Sequence, residues 1–91
     1  MARIIIKLKV MPTSPDVNLD SIKKQVLKKI DSYGGILKGT EIEPIAFGLK
    51  AIIITFNMDE SRGSTDLLEE QITEIEDVQS VEIIGISRAL G

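Results

Sequence analysis

The sequence predicts a two-layer α+β sandwich, a four-stranded antiparallel sheet with two helices on one face. Three observations predict it. Four stretches read as strands and two carry apolar residues at the three-to-four spacing of helices. These six follow one another in the order β-α-β-β-α-β. Each helix has a single apolar stripe, and a 91-residue chain can bury two such stripes only against one face of a shared sheet.

The first stretch, "RIIIKLKVM" (3–11), alternates, with Ile4, Ile6, Leu8 and Val10 on one face and Arg3, Ile5, Lys7 and Lys9 on the other. The loop "PTSPDVN" (12–18) follows, and its prolines forbid further strand pairing. Leu19, Ile22, Val26, Ile30 and Tyr33 then mark the first helix, which Asn18 is placed to cap and "GG" at 34–35 to stop. "ILKGTEIE" (36–43) is a weaker strand whose Gly39 points to a bulge at a sheet edge. "LKAIIITFNM" (49–58) is apolar on both faces and suits a central strand. After the loop "DESRGST" (59–65), Ser64 or Thr65 is placed to cap a second helix running to about Glu76 and burying Leu68, Ile72 and Ile75. "VQSVEIIGISR" (78–88) is the last strand. The order is that of the ferredoxin-like, split βαβ arrangement, and right-handed crossovers put the first and third strands in the middle. The chain reads as a single domain over 1–91, with no linker.

Composition narrows the function. No apolar run approaches the roughly 18–20 residues of a membrane span, and the start has no cleavage site, so the expected location is the cytoplasm. Without cysteine or histidine there is no thiolate chemistry, no zinc site of the usual kinds and no His-based catalysis; neither metal nor cofactor is expected. A net charge of −3 is the wrong sign for gripping phosphate backbones, and Lys23, Lys24, Lys28 and Lys29 read as a solvated helix face. An RNA-recognition domain would carry aromatics on its central strands, where Ile5, Lys7, Lys9, Ile52 and Ile54 are expected, with Phe56 near the end. Phosphate-loop glycines are absent, and "MPTSPDV" has prolines where an acyl-phosphate hydrolase needs amide donors. The carboxylates Glu69, Glu70, Glu74, Glu76 and Asp77 lie on the second helix, whose surface offers none of the burial that tunes acid–base pairs. No catalytic residue is expected. What remains is a binding module.

One residue stands out for such a role. Among only three aromatics, Phe47 lies between Pro44 and Gly48 in "EPIAFGLK", the connection between the second and third strands. It either caps the sheet's own core or is held out for a partner. Glu69, Glu70 and Glu74 either keep the protein soluble or steer it to a basic surface on that partner.

"VMPTSPDVNLDSIKK", "EPIAFGLKAIII" and "STDLLEEQITEIEDVQSVEIIGISR" resemble, in order and spacing, the archaeal translation elongation factor one-beta family and the C-terminal exchange domain of its eukaryotic relative. The resemblance covers essentially the whole chain. It implies a ferredoxin-like guanine-nucleotide exchange factor, monomeric when free, acting on the GDP-bound and nucleotide-free forms of the elongation factor one-alpha GTPase. Carried over by position, it implies that the "P-x-x-F-G" stretch, here Pro44, Ala46, Phe47 and Gly48, binds the GTPase, with Phe47 entering a pocket next to the nucleotide site. It implies further that Arg88, where eukaryotic members have lysine, reaches toward the magnesium site. Arginine is planar and always charged where lysine is a compact point charge, so the two are not interchangeable there. The competing reading is a small ferredoxin-like ligand-sensing domain that self-associates through a sheet edge.

Overall fold

Alternation in the first strand is strong enough to fix which side of the sheet is covered. In the computed structural model, which describes residues 3–62 and 65–89, β1 (Arg3–Pro12) buries Ile6, Leu8 and Val10 completely while Lys7 stays exposed. The remaining elements are α1 (Leu19–Ser32), β2 (Ile36–Pro44), β3 (Lys50–Asp59), α2 (Asp66–Thr73) and β4 (Val78–Ala89). They form one four-stranded sheet in the order β2-β3-β1-β4, every neighbouring pair antiparallel. This is the ferredoxin-like α+β arrangement, with β1 and β3 central.

The pairing of β1 with β3 sets the core. Ile6 lies opposite Phe56, Leu8 opposite Ile54 and Val10 opposite Ile52. All six are fully buried, and with Met58 they meet Ile22, Val26 and Ile30 of α1 and Leu68 and Ile72 of α2. This corrects the expectation for the uncovered face. Ile52, Ile54 and Phe56 turn toward the helices, and β3 presents Ala51, Ile53, Thr55 and Asn57 on the other side. A strand apolar on both faces carries no phase of its own, so its partner's register decides which residues face inward. The uncovered face still holds no aromatic on the central strands. Lys9 reaches over β3 to Glu43 of β2, 3.9 Å away.

The first helix begins as its sequence predicts. Asn18 Oδ1 accepts the Ser21 amide at 3.1 Å, which satisfies one of the first-turn donors. Its end uses the two glycines differently: Gly34 takes φ 93°, whereas Gly35 is a matter of space. A Cβ on Gly35 would stand 2.7 Å from Ile30 Cγ2 and 2.8 Å from Phe56 Cδ2. At the β2 edge the register slips between Leu37 and Gly39, the bulge foreseen from the glycine.

The second helix is shorter than its apolar spacing predicts. It ends at Thr73, not near Glu76, and Ile75 is buried from the turn beyond it. The chain has to reverse into β4, where Val78 pairs with Pro12, and it does so through Asp77 at φ 71°. Capping differs too. The Thr65 hydroxyl donates to Glu69 Oε2 at 3.0 Å and caps no backbone amide; Ser64 lies outside the described residues.

Candidate functional site

Phe47 is the most exposed large apolar side chain among the described residues, at 94%. The hairpin that carries it is closed below by Ile45 N–H donating to the Leu49 carbonyl at 2.7 Å and Leu49 N–H donating to Ala46 at 3.3 Å. Pro44, paired with Lys50, ends β2 on the sheet's edge, where a missing N–H leaves no ladder bond unmade. Ala46, Phe47 and Gly48 then form a single 3₁₀ turn. Inside it Phe47 has φ 62° and ψ 29°, and Gly48 follows at φ 79°. The left-handed region is ordinary for glycine and unfavourable by about 1–2 kcal/mol for a side chain with a Cβ. An aromatic held there, with its ring in water, gains nothing for the fold in return. Of the two readings open from composition, the core reading is overturned: the ring does not cap the sheet. Beside the turn, Gly48 and Lys50 line a surface hollow of about 450 Å³ with Pro12, Pro15 and Val17.

Arg88 lies far from this turn. On β4 it pairs with Ile4, which pairs across with Met58 near the end of β3, whereas Phe47 precedes Lys50 at that strand's start. Eight residues of extended chain, from Lys50 to Met58, separate the two ends by roughly 26 Å. The Arg88 guanidinium donates to Glu60 Oε1 at 2.6 Å, in the 3₁₀ turn after β3. Both side chains are well exposed, 66% and 43%, so the pair adds little to stability. Next to it Asp59 Oδ1 accepts the Ser61 amide at 2.9 Å, and that bond, helped by the Ser61 hydroxyl and Arg3, holds the Asp59 carboxyl below its ordinary value. Arg3 itself is bound to Asn57, Nε to Oδ1 at 2.9 Å, the one buried polar side chain among the described residues.

The carboxylates of the second helix are not one group. Glu69 is half-buried and engaged by Thr65, Glu70 is exposed on α2, and Glu74 follows the helix end. The structure therefore brings Pro44, Ala46, Phe47 and Gly48 together in one turn and sets Arg88 at the opposite end of the sheet. Sequence reasoning missed two features of these ends, the left-handed backbone of Phe47 and the Glu60 partner of Arg88. The "FG" pair hints at the first; for the second, 28 residues of separation leave no local signal. Among the described residues no cluster of carboxylates is arranged to hold a metal ion, and no helix is long and apolar enough to cross a membrane.

Residues 5–89 match the family model of the EF-1 guanine nucleotide exchange domain. The chain is 43% identical over 89 residues to elongation factor 1-beta of Sulfurisphaera tokodaii, covering 97% of each protein. To elongation factor 1-beta of Methanocaldococcus jannaschii it is 38% identical over 89 residues, 98% of this chain and all of that one. Among solved structures, the ACT domain from a GTP pyrophosphokinase of Chlorobium tepidum superposes with a TM-score of 0.63 over 90% of this chain and 99% of its own, at 11% identity. The C-terminal domain of the MgtC protein from Mycobacterium tuberculosis gives 0.60 over 98% of this chain and 88% of its own, at 10% identity. At such identities these two show the fold alone.

Proposed function

The chain belongs to the family of EF-1 guanine nucleotide exchange domains, and from that premise we propose how it engages its GTPase. It is a guanine nucleotide exchange factor of translation elongation, and its partner is a GTPase, elongation factor one-alpha. The exposed, left-handed Phe47 at the tip of the β2–β3 hairpin carries the proposal. A tight turn that presents one aromatic loses little entropy on docking, and such side chains anchor interfaces. Phe47 is the anchor that enters a pocket on the GTPase, with Pro44, Ala46 and Gly48 shaping the turn around it. Arg88 meets the same partner at a second place, roughly 26 Å away, where its cation approaches the magnesium and phosphate site.

Exchange then follows from linkage. Magnesium demands near-ideal octahedral geometry and bridges nucleotide phosphate to protein, so displacing its ligands slightly weakens nucleotide binding. A factor that binds the nucleotide-free GTPase best lowers nucleotide affinity by the same factor that nucleotide lowers its own. Such a protein performs no chemical step, and it works in the cytoplasm as a monomer that meets both GDP-bound and nucleotide-free partner. The bulge and the charges Lys38, Glu41 and Glu43 along the β2 edge favour this over self-association through that edge. The test is release of fluorescent GDP from the purified GTPase. Catalytic amounts of the chain should accelerate release, and light scattering should give a monomer mass. Release at the spontaneous rate would reject the proposal.

A further inference from the structure

Glu60 occupies the end of the sheet opposite Phe47, in a turn that is itself tied down. The residue before it, Asp59, pairs with Arg3 in the sheet and accepts the Ser61 amide at 2.9 Å, so the backbone on both sides of Glu60 is bonded. From that fixed point Oε1 receives Nη2 of Arg88 at 2.6 Å. The strand that leads into the Glu60 turn and the strand that carries Arg88 are not neighbours, because β1 lies between β3 and β4. The Arg88 and Glu60 side chains together therefore bridge the end of β1, a gap of two interstrand spacings, about 10 Å. A guanidinium is a planar fork of five N–H donors, and this contact uses Nη2 while the side chain remains 66% exposed.

We infer that Glu60 is the positioning residue for Arg88, an inference that rests on the reading of Arg88 given above. An unheld arginine has to surrender rotamer freedom when it docks. With one nitrogen tied to Glu60, that loss is taken in the free protein, and the rest of the fork faces the partner already oriented. The pair is exposed and weak, so it orients the guanidinium without holding it back from the denser negative charge of phosphate and magnesium-binding carboxylates. A lysine ammonium gathers its three donors on one nitrogen; the arginine fork sets its donors on separate nitrogens, so it can keep Glu60 with one and approach the partner with the others.

Four proteins test this: wild type, Glu60→Gln, Arg88→Ala and the double variant, each measured for fluorescent GDP release in excess magnesium and in EDTA. Arg88→Ala should slow release in magnesium. Glu60→Gln should lower the maximal rate in magnesium by about two- to fivefold, the worth of an exposed ion pair. It should leave the half-saturating concentration and the melting temperature unchanged, lose its effect in EDTA, and add nothing to Arg88→Ala. Glu60→Asp, which keeps the charge, should recover part of the rate. If Arg88→Ala is slow while Glu60→Gln matches or exceeds wild type, the positioning role fails and the reading of Arg88 survives. If Arg88→Ala exchanges normally in magnesium, the reading of Arg88 fails and the inference with it. An undiminished Glu60→Gln defect in the Arg88→Ala background would overturn the inference as well, since Glu60 would then act through some other group.

Discussion

Phe47 and Arg88 stand at opposite ends of one four-stranded sheet, with the length of β3 from Lys50 to Met58 between them. At roughly 3.3 Å per residue no single pocket accepts both side chains. Two contacts that far apart on a rigid sheet act independently. Phe47→Ala and Arg88→Ala should therefore multiply in their effects on kcat/KM for GDP release, with a coupling below about 0.5 kcal/mol. A double variant no worse than the poorer single one would show that the two share one step or one site.

Gly35 supplies a stability prediction with no functional content. Its missing Cβ leaves room for Ile30 Cγ2 and Phe56 Cδ2, 2.7 and 2.8 Å from where that atom would be. Phe56 is fully buried and Ile30 nearly so, so neither can swing away. Gly35→Ala should cost about 1–3 kcal/mol and lower the melting temperature by several degrees. Adding Phe56→Leu, which withdraws the ring edge, should return part of the loss. A Gly35→Ala protein as stable as wild type would mean that the helix end shifts freely.

Much of this architecture is legible in the sequence, and what is not fails for physical reasons. The alternation of Ile4, Ile6, Leu8 and Val10, the cap at Asn18 and the bulge at Gly39 are local signals, and local structure obeys them. The phase of β3 is not local, since Ile52, Ile53 and Ile54 suit either face until Leu8 and Val10 pair with Ile54 and Ile52. The end of α2 misleads because Leu68, Ile72 and Ile75 keep helical spacing even though Ile75 is buried from a turn. At the candidate site the sequence offered two readings of Phe47, and backbone conformation separates them. Phenylalanine has no preference for φ 62°, so nothing in its identity announces it.

The second helix divides the charge argument. Glu69 is engaged by Thr65, which leaves, of the three steering candidates, Glu70 and Glu74 exposed and able to act at a distance. If they steer the factor toward a basic surface, Glu70→Gln with Glu74→Gln should lower the association rate at low salt. The variant and wild type should converge near 0.5 M salt, where the screening length is about 4 Å. A wild-type association rate that is flat with ionic strength would leave these groups as a solubilising face.

Asp59 gives a prediction in pH. Its carboxyl is held below the ordinary value of 3.8, first by the Ser61 amide and then by the Ser61 hydroxyl. A depressed folded value means that the contribution is complete above 3.8 and is lost as pH falls through the lower folded value. The turn carrying Glu60 should accordingly stay bonded through neutral and mildly acidic pH. Carbon-13 titration should place the Asp59 midpoint below 3.8. Ser61→Ala, which keeps the amide, should retain most of the displacement, whereas Ser61→Pro, which removes it, should not. Equal midpoints in those two variants would contradict the backbone assignment.

Two substitutions at Phe47 separate display from packing. Phe47→Ala keeps the Cβ and the left-handed backbone, and a ring 94% exposed has almost no packing to lose, so the melting temperature should barely move. Phe47→Gly relieves the backbone and should raise stability by up to about 1 kcal/mol. Both remove the anchor, so both should weaken productive engagement of the GTPase by about 2–4 kcal/mol, about 30- to 1,000-fold. Greater stability with lost exchange is the signature of strain kept for binding. Phe56 is the internal contrast: it is fully buried, and Phe56→Ala should cost about 3–5 kcal/mol of stability. If Phe47→Gly were destabilised on that scale, or exchanged nucleotide at the wild-type rate, the aromatic would not be the anchor and the left-handed turn would need another reason.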